Sequence, residues 1–516
     1  MYLLGIDIGT TNWKAVLYTY SGETVARSVT PTITHHAESG SAVYHVEDIW
    51  QGVCTLCQDI LAQCRKEQPA FQPEQIRGVA ITGMGEAMVP LDAQRQPLYE
   101  VIAWFDPRTE PQARWLEEQD PEARIFRTTG LSFSPIYSLC KLLWIREHEP
   151  AIFEKAVKWL TMPDFVMFKL SGEYATDYSE ASRTLCFDIT RKTWSPELLD
   201  LAGLDASVLP PAYCGGTMIG RVHQRASQET GLASGTPVVT GGHDHICGAL
   251  AVGAFQGNVM LNSCGTTESL VLSLPTLSLG NLPPDQQLTH GCHVARDMYY
   301  MITGIYVAGA ELQRFKNLFA GEADDDAVWQ QLMDEARQAG AGSDGVLFLP
   351  HSRGANVPPL NPRSCSALLG LRAHHQRGHI IRAVIEGLCY ETRRLLTIME
   401  QQAGTSVDLL RVAGSARNTF WLQVKADVLN KSIEVPKMTE GSCLGAAMLA
   451  GIGADIYRDE NDAFRQIYRS GDVYEPNQEY TAWYDECYQE IFTNIYPALV
   501  PVYHKRASVY FEKSNK

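Results

Sequence analysis

Two aspartates stand where apolar, strand-like segments of the sequence end. Asp7 lies near the end of Tyr2–Ile8, and Asp244 follows two glycines in PVVTGGHDH, where a helical pattern begins. A buried carboxylate is costly without water or a cation, so Asp7 is a candidate ligand for Mg²⁺, which uses few carboxylates. Asp244 is expected at the edge of a cleft, where a strand, a glycine turn and the start of a helix meet, although a lone aspartate at such a place is better explained as a helix N-cap. The simpler alternative for Asp7 is a turn-capping aspartate.

Two turns with the sequence Gly-Thr-Thr lie between strand-like segments. Such turns offer unhindered backbone N–H groups and hydroxyls to anionic oxygens. No GxxxxGK[ST] motif is present, so a P-loop is excluded. Lys14, beyond the first turn, either offers its charge to phosphates or lies on an exposed face. Two such turns could clamp a phosphate chain from both sides; their residues are Thr10, Thr11 and Asn12 in one and Gly265, Thr266 and Thr267 in the other.

Three other kinds of chemistry have weaker support. The segment His243–Cys247 contains metal-ligating residue types, but neighbours on a turn point apart and no second cluster has ligand spacing. The pair Cys54 and Cys57 falls inside a predicted helix from about 47 to 66, which favours packing over a redox or zinc role. No GxSxG elbow is present, which argues against a serine hydrolase.

Strands that alternate with helices are predicted to position these residues. Hairpins are expected around both Gly-Thr-Thr turns, and two further buried strands, Ile76–Thr82 and Leu409–Ala413, end in small-residue turns. The chain is therefore predicted to be α/β, and the repeated hairpins indicate a duplicated domain. The helical patterns between the strands cover residues 111–118, 139–147, 379–402 and 419–429.

The length predicts more than one domain, because 516 residues exceed what one hydrophobic core usually organises. The boundary is expected near residue 254, which gives a first domain over 1–254 and a second over 255–456. The remaining segment, 457–516, is acidic and aromatic. It is predicted to be helical, and packing back on the first domain is one arrangement open to it.

The composition narrows the class of protein. Hydrophobic residues make up 45% and charged residues 20%, values typical of a globular protein. The net charge of -16 argues against a nucleic-acid partner, which needs clustered Lys and Arg. The sequence has no apolar run of about 18 residues, and its start, MYLLGIDIGTTNWKAV, lacks signal-peptide features. A cytoplasmic enzyme without nucleic-acid or membrane partners is expected.

These segments resemble the FGGY family of carbohydrate kinases from about residue 3 to about residue 455. The resemblance implies two actin-like, ribonuclease H-like (ASKHA) domains related by duplication, with an interdomain cleft. It also implies ATP and Mg²⁺ as cofactors for phosphorylation of a hydroxyl of a small sugar or polyol. The motifs that carry it include DIGTTNWK, AWFDPRT, MPDFVMFKLSGEYATDYSEAS, GGHDHICGAL, SCGTTE, AGSARNTFWLQVKADVLN and GSCLGAAMLAG.

The resemblance also implies roles for individual residues. Asp244 would be the general base, and Asp7 with Asp244 would lie on the Mg²⁺ side. The residues implied to hold the nucleotide are Thr10, Thr11, Asn12, Lys14, Gly265, Thr266 and Thr267 near the phosphates and Gly414, Ser415, Ala416 and Asn418 near adenosine.

The acceptor side is implied at Met84, Glu86, Trp104 and Asp106, with Asp244 beside them. Glu86 can accept two sugar hydroxyls, and Trp104 offers a flat apolar face; the alternatives are a solvated Glu and a core Trp. Xylulose kinases usually carry Gln-Met-His where this chain has Gly-Met-Gly. Glycerol kinases carry an Arg-Glu pair, of which only Glu86 remains in the sequence. A further departure is Gly-Ala-Asn at 354–356, where the family commonly has Gly-Glu-Arg.

The expected acceptor is a ketopentose such as xylulose or ribulose. The alternatives are another polyol, such as glycerol, a tetritol or a hexulose, or a non-catalytic sugar or nucleotide sensor with the same fold. Dimers are common among the relatives, so a homodimer is a further expectation.

Overall fold

The first half of the chain is built on a six-stranded sheet in the computed structural model, which describes residues 1–37, 40–120, 123–279, 286–322, 326–355, 360–414 and 418–510. The strands of this half are β1 (Tyr2–Ile8), β2 (Asn12–Thr19), β3 (Thr24–Pro31), β4 (His35–His36), β5 (Ala42–Tyr44), β6 (Ile76–Gly83), β7 (Met88–Leu91), β8 (Val101–Ile102), β9 (Lys158–Thr161), β10 (Thr176–Asp177), β11 (Phe187–Asp188), β12 (Thr193–Trp194), β13 (Ala212–Tyr213), β14 (Met218–Arg221) and β15 (Pro237–His243). The strand order in the large sheet is β14-β15-β6-β1-β2-β3.

β1 lies inside this sheet, and six of its seven residues are buried. It runs antiparallel to β2 and parallel to β6. A strand covered on both faces needs a nearly continuous apolar sequence, which is why the run Tyr2–Ile8 predicts it correctly. Because Ile8 pairs with Trp13, the first Gly-Thr-Thr turn lies at the end of the hairpin.

Helices cover both faces of the sheet. α1 carries Cys54 and Cys57 as buried free thiols. Burial raises the pKa of Cys54 to about 11, which fits packing rather than redox chemistry. The helices of this half are α1 (Val46–Glu67), α2 (Glu110–Gln119), α3 (Arg124–Thr129), α4 (Ser138–His148), α5 (Pro150–Lys155), α6 (Met162–Ser171), α7 (Tyr178–Ala181), α8 (Pro196–Ala202), α9 (Gln224–Thr230) and α10 (Asp244–Ala251).

The second half repeats this plan around a seven-stranded sheet. The strands are β16 (Val259–Cys264), β17 (Glu268–Leu274), β18 (Thr289–Cys292), β19 (Tyr299–Ile305), β20 (Leu347–Leu349), β21 (Ala367–Leu369), β22 (Leu409–Ala413), β23 (Ser432–Val435) and β24 (Asp472–Tyr474). The sheet order is β18-β19-β17-β16-β22-β23-β24. The hairpin of β16 and β17 lies beside the parallel strand β22, as the hairpin of β1 and β2 lies beside β6. The α/β duplication predicted from the two turns is confirmed.

The helices of the second half are α11 (Gly309–Ala320), α12 (Asp326–Gln338), α13 (Arg377–Ala403), α14 (Thr419–Leu429), α15 (Gly441–Gly453), α16 (Glu460–Ile467), α17 (Gln478–Cys487) and α18 (Thr493–Tyr510). α15 packs directly against β1 of the first half. A Cβ on Gly5 would lie 2.0 Å from the carbonyl oxygen of Cys443, so only glycine allows this approach. The two halves are therefore in close contact along α15.

The C-terminal segment packs on both halves of the chain. Its first part contacts the first half, where the hydroxyl of Tyr457 donates to Tyr20 O and Ile467 of α16 lies against Gly22. α17, α18 and the turn between them bury Tyr484, Tyr488 and Phe492 in the core of the second half. The ring of Tyr390, on α13, lies 4.9 Å from that of Phe492. Packing on the first domain, which the sequence left open for residues 457–516, is thus seen for α16, whereas the aromatic residues of α17 and of the turn after it pack on α13.

The described helices include none that is both long and apolar enough to cross a bilayer.

Candidate active site

A cavity of about 650 Å³ lies between the two halves, within the size range of small-molecule sites. The first half contributes the β1–β2 hairpin and the start of α10. The second half contributes the β16–β17 hairpin, the end of β22 and the start of α15. Among its lining residues are Asn12, Lys14, Asp244, His245, Gly265, Thr267, Gly414 and Glu440.

Asp7 is a buried carboxylate that lacks a partner on one oxygen. It is 7% exposed, and its Oδ1 has no hydrogen-bond partner among the described residues. Burial, and next the charge of Asp244, raise the pKa of Asp7 to about 8. A divalent cation bound here would give Asp7 Oδ1 a partner and would offset the repulsion between the carboxylates of Asp7 and Asp244. The residues present therefore fit a Mg²⁺ ion.

Asp244 is the first residue of α10, at the edge of the cavity. Its Oδ1 accepts the backbone N–H of His245 at 2.5 Å and lies 3.2 Å from His243 Nδ1. This contact with the next residue is not an N-cap bond, which would reach two or three residues further on. Burial opposes ionisation, but His245 and His243 outweigh it and lower the pKa of Asp244. An ionised carboxylate able to accept a proton thus faces the cleft.

The first Gly-Thr-Thr turn is joined to the acceptor side predicted from the sequence. Thr10 Oγ1 accepts a hydrogen bond from Trp104 Nε1 at 2.9 Å and lies 3.8 Å from Met84 Sδ. Met84 is buried. Thr10, predicted at the phosphates, is therefore in contact with Trp104 and Met84, which were predicted on the acceptor side.

Lys14 does not lie free on the surface. Its Nζ is 2.6 Å from Glu440 Oε2, and Arg27 contacts the other oxygen of Glu440 at 2.5 Å. Glu440 immediately precedes α15, so this ion pair crosses from one half to the other. An anionic ligand in the cavity would compete with Glu440 for Lys14.

The second Gly-Thr-Thr turn exposes the side chains of Thr266 and Thr267. Its backbone is fixed by the start of α11, since Gly309 N donates to Gly265 O at 2.9 Å and Ala308 N donates to Thr266 O at 3.0 Å. The carbonyls are thus used by the protein, while the hydroxyls remain available to a ligand.

A buried ion pair lies directly after this turn in the chain, at Glu268. Lys425 Nζ lies 2.7 Å from Glu268 Oε1, and both side chains are 1% exposed. Asn262 Nδ2 and Thr392 Oγ1 donate to the same oxygen at 2.9 and 3.0 Å. Sequence reasoning missed this cluster, although both Glu268 and Lys425 fall inside the motifs quoted above.

Gly414 places the end of β22 against the second hairpin. It has φ 104°, and a Cβ there would lie 2.4 Å from the carbonyl oxygen of Cys264. Ser415 and Ala416, predicted beside it, lie outside the described residues. Asn418 Oδ1 accepts the backbone N–H of Trp421 at 3.1 Å and caps α14. Its side chain therefore has a structural use here.

Glu86 is 4% exposed and paired with Arg183, a residue that the sequence did not single out. Arg183 Nε and Nη2 lie 2.6 and 2.5 Å from Glu86 Oε1. Glu86 adopts φ 69°, which is uncommon for a non-glycine residue. The hydroxyl of Ser138 donates to its carbonyl oxygen at 3.0 Å. The solvated-glutamate alternative is excluded by this burial.

Asp106 does not present a free carboxylate. Its Oδ2 accepts the backbone N–H of Ala42 at 2.6 Å and Arg108 Nη2 at 2.8 Å, and its Oδ1 accepts Arg108 N and Nε at 2.9 Å. The side chain fixes the loop that carries Trp104. This geometry disfavours the direct acceptor contact predicted for Asp106, because its oxygens are already occupied.

Comparisons with known proteins agree with this architecture. The model of the FGGY family of carbohydrate kinases, N-terminal domain, matches residues 2–251, and that of the C-terminal domain matches residues 260–454. The chain is 28% identical to the xylulose kinase of Bacillus subtilis over 96% of both chains. It is 31% identical to the glycerol kinase of Geobacter sp. over 88% of this chain and 90% of the relative.

Among solved structures, the xylulose kinase from Rhodospirillum rubrum superposes with a TM-score of 0.89 at 26% identity, covering 98% of this chain and all of that one. The fold class predicted from the sequence is therefore confirmed. With both family models matched, the chain belongs to the FGGY family of carbohydrate kinases and is a sugar kinase.

Proposed function

We propose that this kinase transfers the γ-phosphoryl group of ATP, bound with Mg²⁺, to a hydroxyl of a ketopentose of the xylulose class. The observation that carries the proposal is the ionised carboxylate of Asp244 at the edge of a cavity that both Gly-Thr-Thr hairpins enclose. The acceptor is suggested by relatives named xylulose kinase that cover about the whole chain.

In the proposed reaction, Asp244 accepts the proton of the attacking hydroxyl. The exposed hydroxyls of Thr266 and Thr267, with Thr11 on the opposite hairpin, bind phosphate oxygens. Lys14 exchanges Glu440 for a phosphate oxygen, which loosens the contact between the halves. Asp7 and Asp244 would hold Mg²⁺, which when bound neutralises charge on the phosphate oxygens.

The acceptor would lie along Glu86, Arg183 and Trp104. Glu86 has an oxygen, Oε2, that can accept a hydrogen bond from an acceptor hydroxyl while Arg183 donates to the other oxygen. Arg183 offers further N–H donors to a hydroxyl or a ketone oxygen. This pair lies beside the turn after β6, where this chain lacks the amide and imidazole that xylulose kinases usually carry.

Glycerol and other short polyols form the second candidate acceptor class. The specific observation is the same Arg183–Glu86 pair, which supplies in space the Arg-Glu combination that the glycerol kinase pattern has in sequence. The 31% identity to a named glycerol kinase agrees with it.

The test is ADP release with Mg-ATP across ketopentoses, aldoses, polyols and glycerol, for the wild type, Asp244→Asn and Asp326→Asn. Asp326 is a matched control, because it is an exposed aspartate at the first position of another helix, α12. We expect acceptor-dependent release that Asp244→Asn lowers by about 10²–10⁴-fold and Asp326→Asn leaves unchanged.

If no acceptor stimulates release although ATP binds, the non-catalytic sensor becomes the better interpretation. If Asp244→Asn retains full activity, the assignment of the base is wrong. A cytoplasmic location and a homodimer belong to the same proposal; light scattering of the purified protein measures the second.

A further inference from the structure

His243 stands at the end of β15, immediately before the proposed base, and the mechanism above uses it only for its effect on Asp244. It is 7% exposed, and its backbone N–H donates to Ser179 Oγ at 2.9 Å. His243 Nδ1 lies 3.2 Å from Asp244 Oδ1, but it makes no hydrogen bond among the described residues. A buried ring nitrogen without a partner is uncommon in folded proteins. The imidazole therefore has hydrogen-bonding capacity that the protein itself does not use.

An irregularity in β15 places this imidazole on the acceptor side. At this point β15 carries one residue, Gly241, more than its partner strand β6, and as a result His243 lies opposite Gly83. A Cβ on Gly241 would lie 2.0 Å from the carbonyl oxygen of Ile81, so only glycine allows this β-bulge. A bulge of this kind re-aims the side chains that follow it. His243 therefore flanks the turn after β6, which carries Glu86.

The turn after β6 has little room for polar side chains of its own. A Cβ on Gly83 would lie 2.8 Å from the carbonyl oxygen of Ile8, and one on Gly85 would lie 3.0 Å from Arg183 Cβ. These are the positions where xylulose kinases usually carry an amide and an imidazole. The backbone of this chain has thus closed on both positions. An imidazole beside this turn is instead supplied by His243, from the neighbouring strand.

The charged groups around the ring of His243 are those of the proposed site. Burial lowers the pKa of His243, and the charged groups that act on it next are Asp244, Arg183 and Glu86, in that order. The ring therefore lies close both to the base and to the pair that is proposed to bind the acceptor. Because Nδ1 faces Asp244, Nε2 is the ring nitrogen left for a ligand.

We propose that His243 is a specificity-determining residue whose Nε2 accepts a hydrogen bond from one hydroxyl of the sugar. The inference rests on the proposed function, because it concerns the same acceptor. A neutral imidazole donates through one nitrogen and accepts through the other. With its proton on Nδ1, the nitrogen nearer the carboxylate of Asp244, the ring accepts at Nε2. A stereoisomer that turns this hydroxyl away leaves Nε2 without a partner in a buried site, which lowers its affinity.

The experiment compares the D and L forms of xylulose and ribulose, which differ only in the configuration of hydroxyl-bearing carbons. We measure kcat/KM with Mg-ATP, and the affinity by calorimetry, for the wild type and three variants of His243. His243→Ala should reduce the preference for the best stereoisomer about ten-fold, the effect of one hydrogen bond, with the KM for ATP unchanged. His243→Gln, whose amide reaches the position of Nε2, should keep part of the preference. His243→Asn, which reaches only the position of Nδ1, should lose it.

His223→Ala is the matched control, because His223 also directly precedes a helix, α9, and its Nδ1 accepts the backbone N–H of Ala226 at 3.1 Å. It should behave as the wild type does. Circular dichroism checks the folding of each variant, and His243→Gln keeps the test valid if His243→Ala does not fold.

The outcomes separate this inference from the assignment of the base. Asp244→Asn should lose turnover but keep the stereoisomer preference in calorimetric binding. An equal fall in kcat for every stereoisomer in His243→Ala, with the preference unchanged, would show that His243 only positions Asp244 and would overturn the inference. If the wild type neither binds nor phosphorylates any of these sugars, the inference is overturned together with the proposed acceptor class.

Discussion

Replacing Arg183 with methionine should both destabilise the first half of the chain and impair acceptor binding. Arg183 and Glu86 are 9% and 4% exposed, and the guanidinium lies 2.5 and 2.6 Å from one carboxylate oxygen. Methionine retains much of the volume but removes the charge. The Glu86 carboxylate then loses the cation that is hydrogen-bonded to it, and Lys141 remains as the other buried cation that interacts with Glu86.

The expected loss follows from this geometry. Removing one partner of a buried ion pair costs about 3–5 kcal/mol, because the other charge is left uncompensated. Protonation of an ordinary glutamate at pH 7 costs about 4 kcal/mol, which sets a ceiling on the loss. A loss of 3–4 kcal/mol corresponds to a decrease in Tm of about 6–16 °C for a domain of this size.

Calorimetry of wild type, Arg183→Met and Arg183→Met/Glu86→Gln measures this loss. The double variant should recover most of the lost Tm, because the glutamine at position 86 leaves no unpaired buried carboxylate. Arg191→Met is the control, since Arg191 is 79% exposed and its pair with Asp188 spans 3.7 Å. An exposed pair contributes about 1 kcal/mol or less.

Kinetics provide the second measurement. Because the proposed acceptor contacts involve Glu86 and Arg183, kcat/KM for the sugar should fall at least about ten-fold, a loss of about 1.4 kcal/mol of transition-state stabilisation. The KM for ATP should stay unchanged. An Arg183→Met enzyme with wild-type Tm and wild-type acceptor KM would refute the reasoning.

Three further predictions concern other parts of the molecule. Lys425→Met should lower Tm by breaking the buried pair under the second Gly-Thr-Thr turn, and adding Glu268→Gln should restore part of it. Burial lowers the pKa of His293 to about 3, whereas the unfolded chain binds a proton at this residue below about pH 6.5. The free energy of unfolding should therefore decrease as the pH drops from about 6.5 to about 3, and it should decrease less steeply in His293→Gln. Gly414→Ala should weaken ATP binding measured by calorimetry, whereas Gly404→Ala should not, since a Cβ at Gly404 meets no atom within 4 Å.

Local sequence patterns predicted much of the fold. The apolar run Tyr2–Ile8 and the strand Leu409–Ala413 form as predicted, and the helix over 419–429 has the same bounds in the structure. These elements can be predicted because hydrophobic periodicity and turn residues are features of short, contiguous segments of the sequence. The positions of the domain boundary and of the nucleotide-contacting residues remain predictions.

The candidate site could be predicted only in part from the sequence. Asp7 stood out because a carboxylate at the end of an apolar strand is unusual in itself, whereas for Asp244 the role of base rested on the family resemblance, since a lone aspartate there predicts a helix N-cap. Asp106 was predicted on the acceptor side, but a sequence does not show that Ala42 and Arg108 occupy its oxygens, and its contact with the acceptor remains a prediction. A conspicuous residue type thus predicts a site better than it predicts a contact.

The sequence by itself determined that two similar α/β halves each carry a Gly-Thr-Thr hairpin and that Asp7 and Asp244 stand at the ends of strands in the first half. Only the tertiary structure decided which charged side chains form ion pairs. Glu86 and Arg183 are 97 positions apart, Glu268 and Lys425 are 157 apart, and Lys14 and Glu440 are 426 apart. No local pattern encodes such pairs, because they form only when packing of the two sheets and their helices brings distant segments of the chain together.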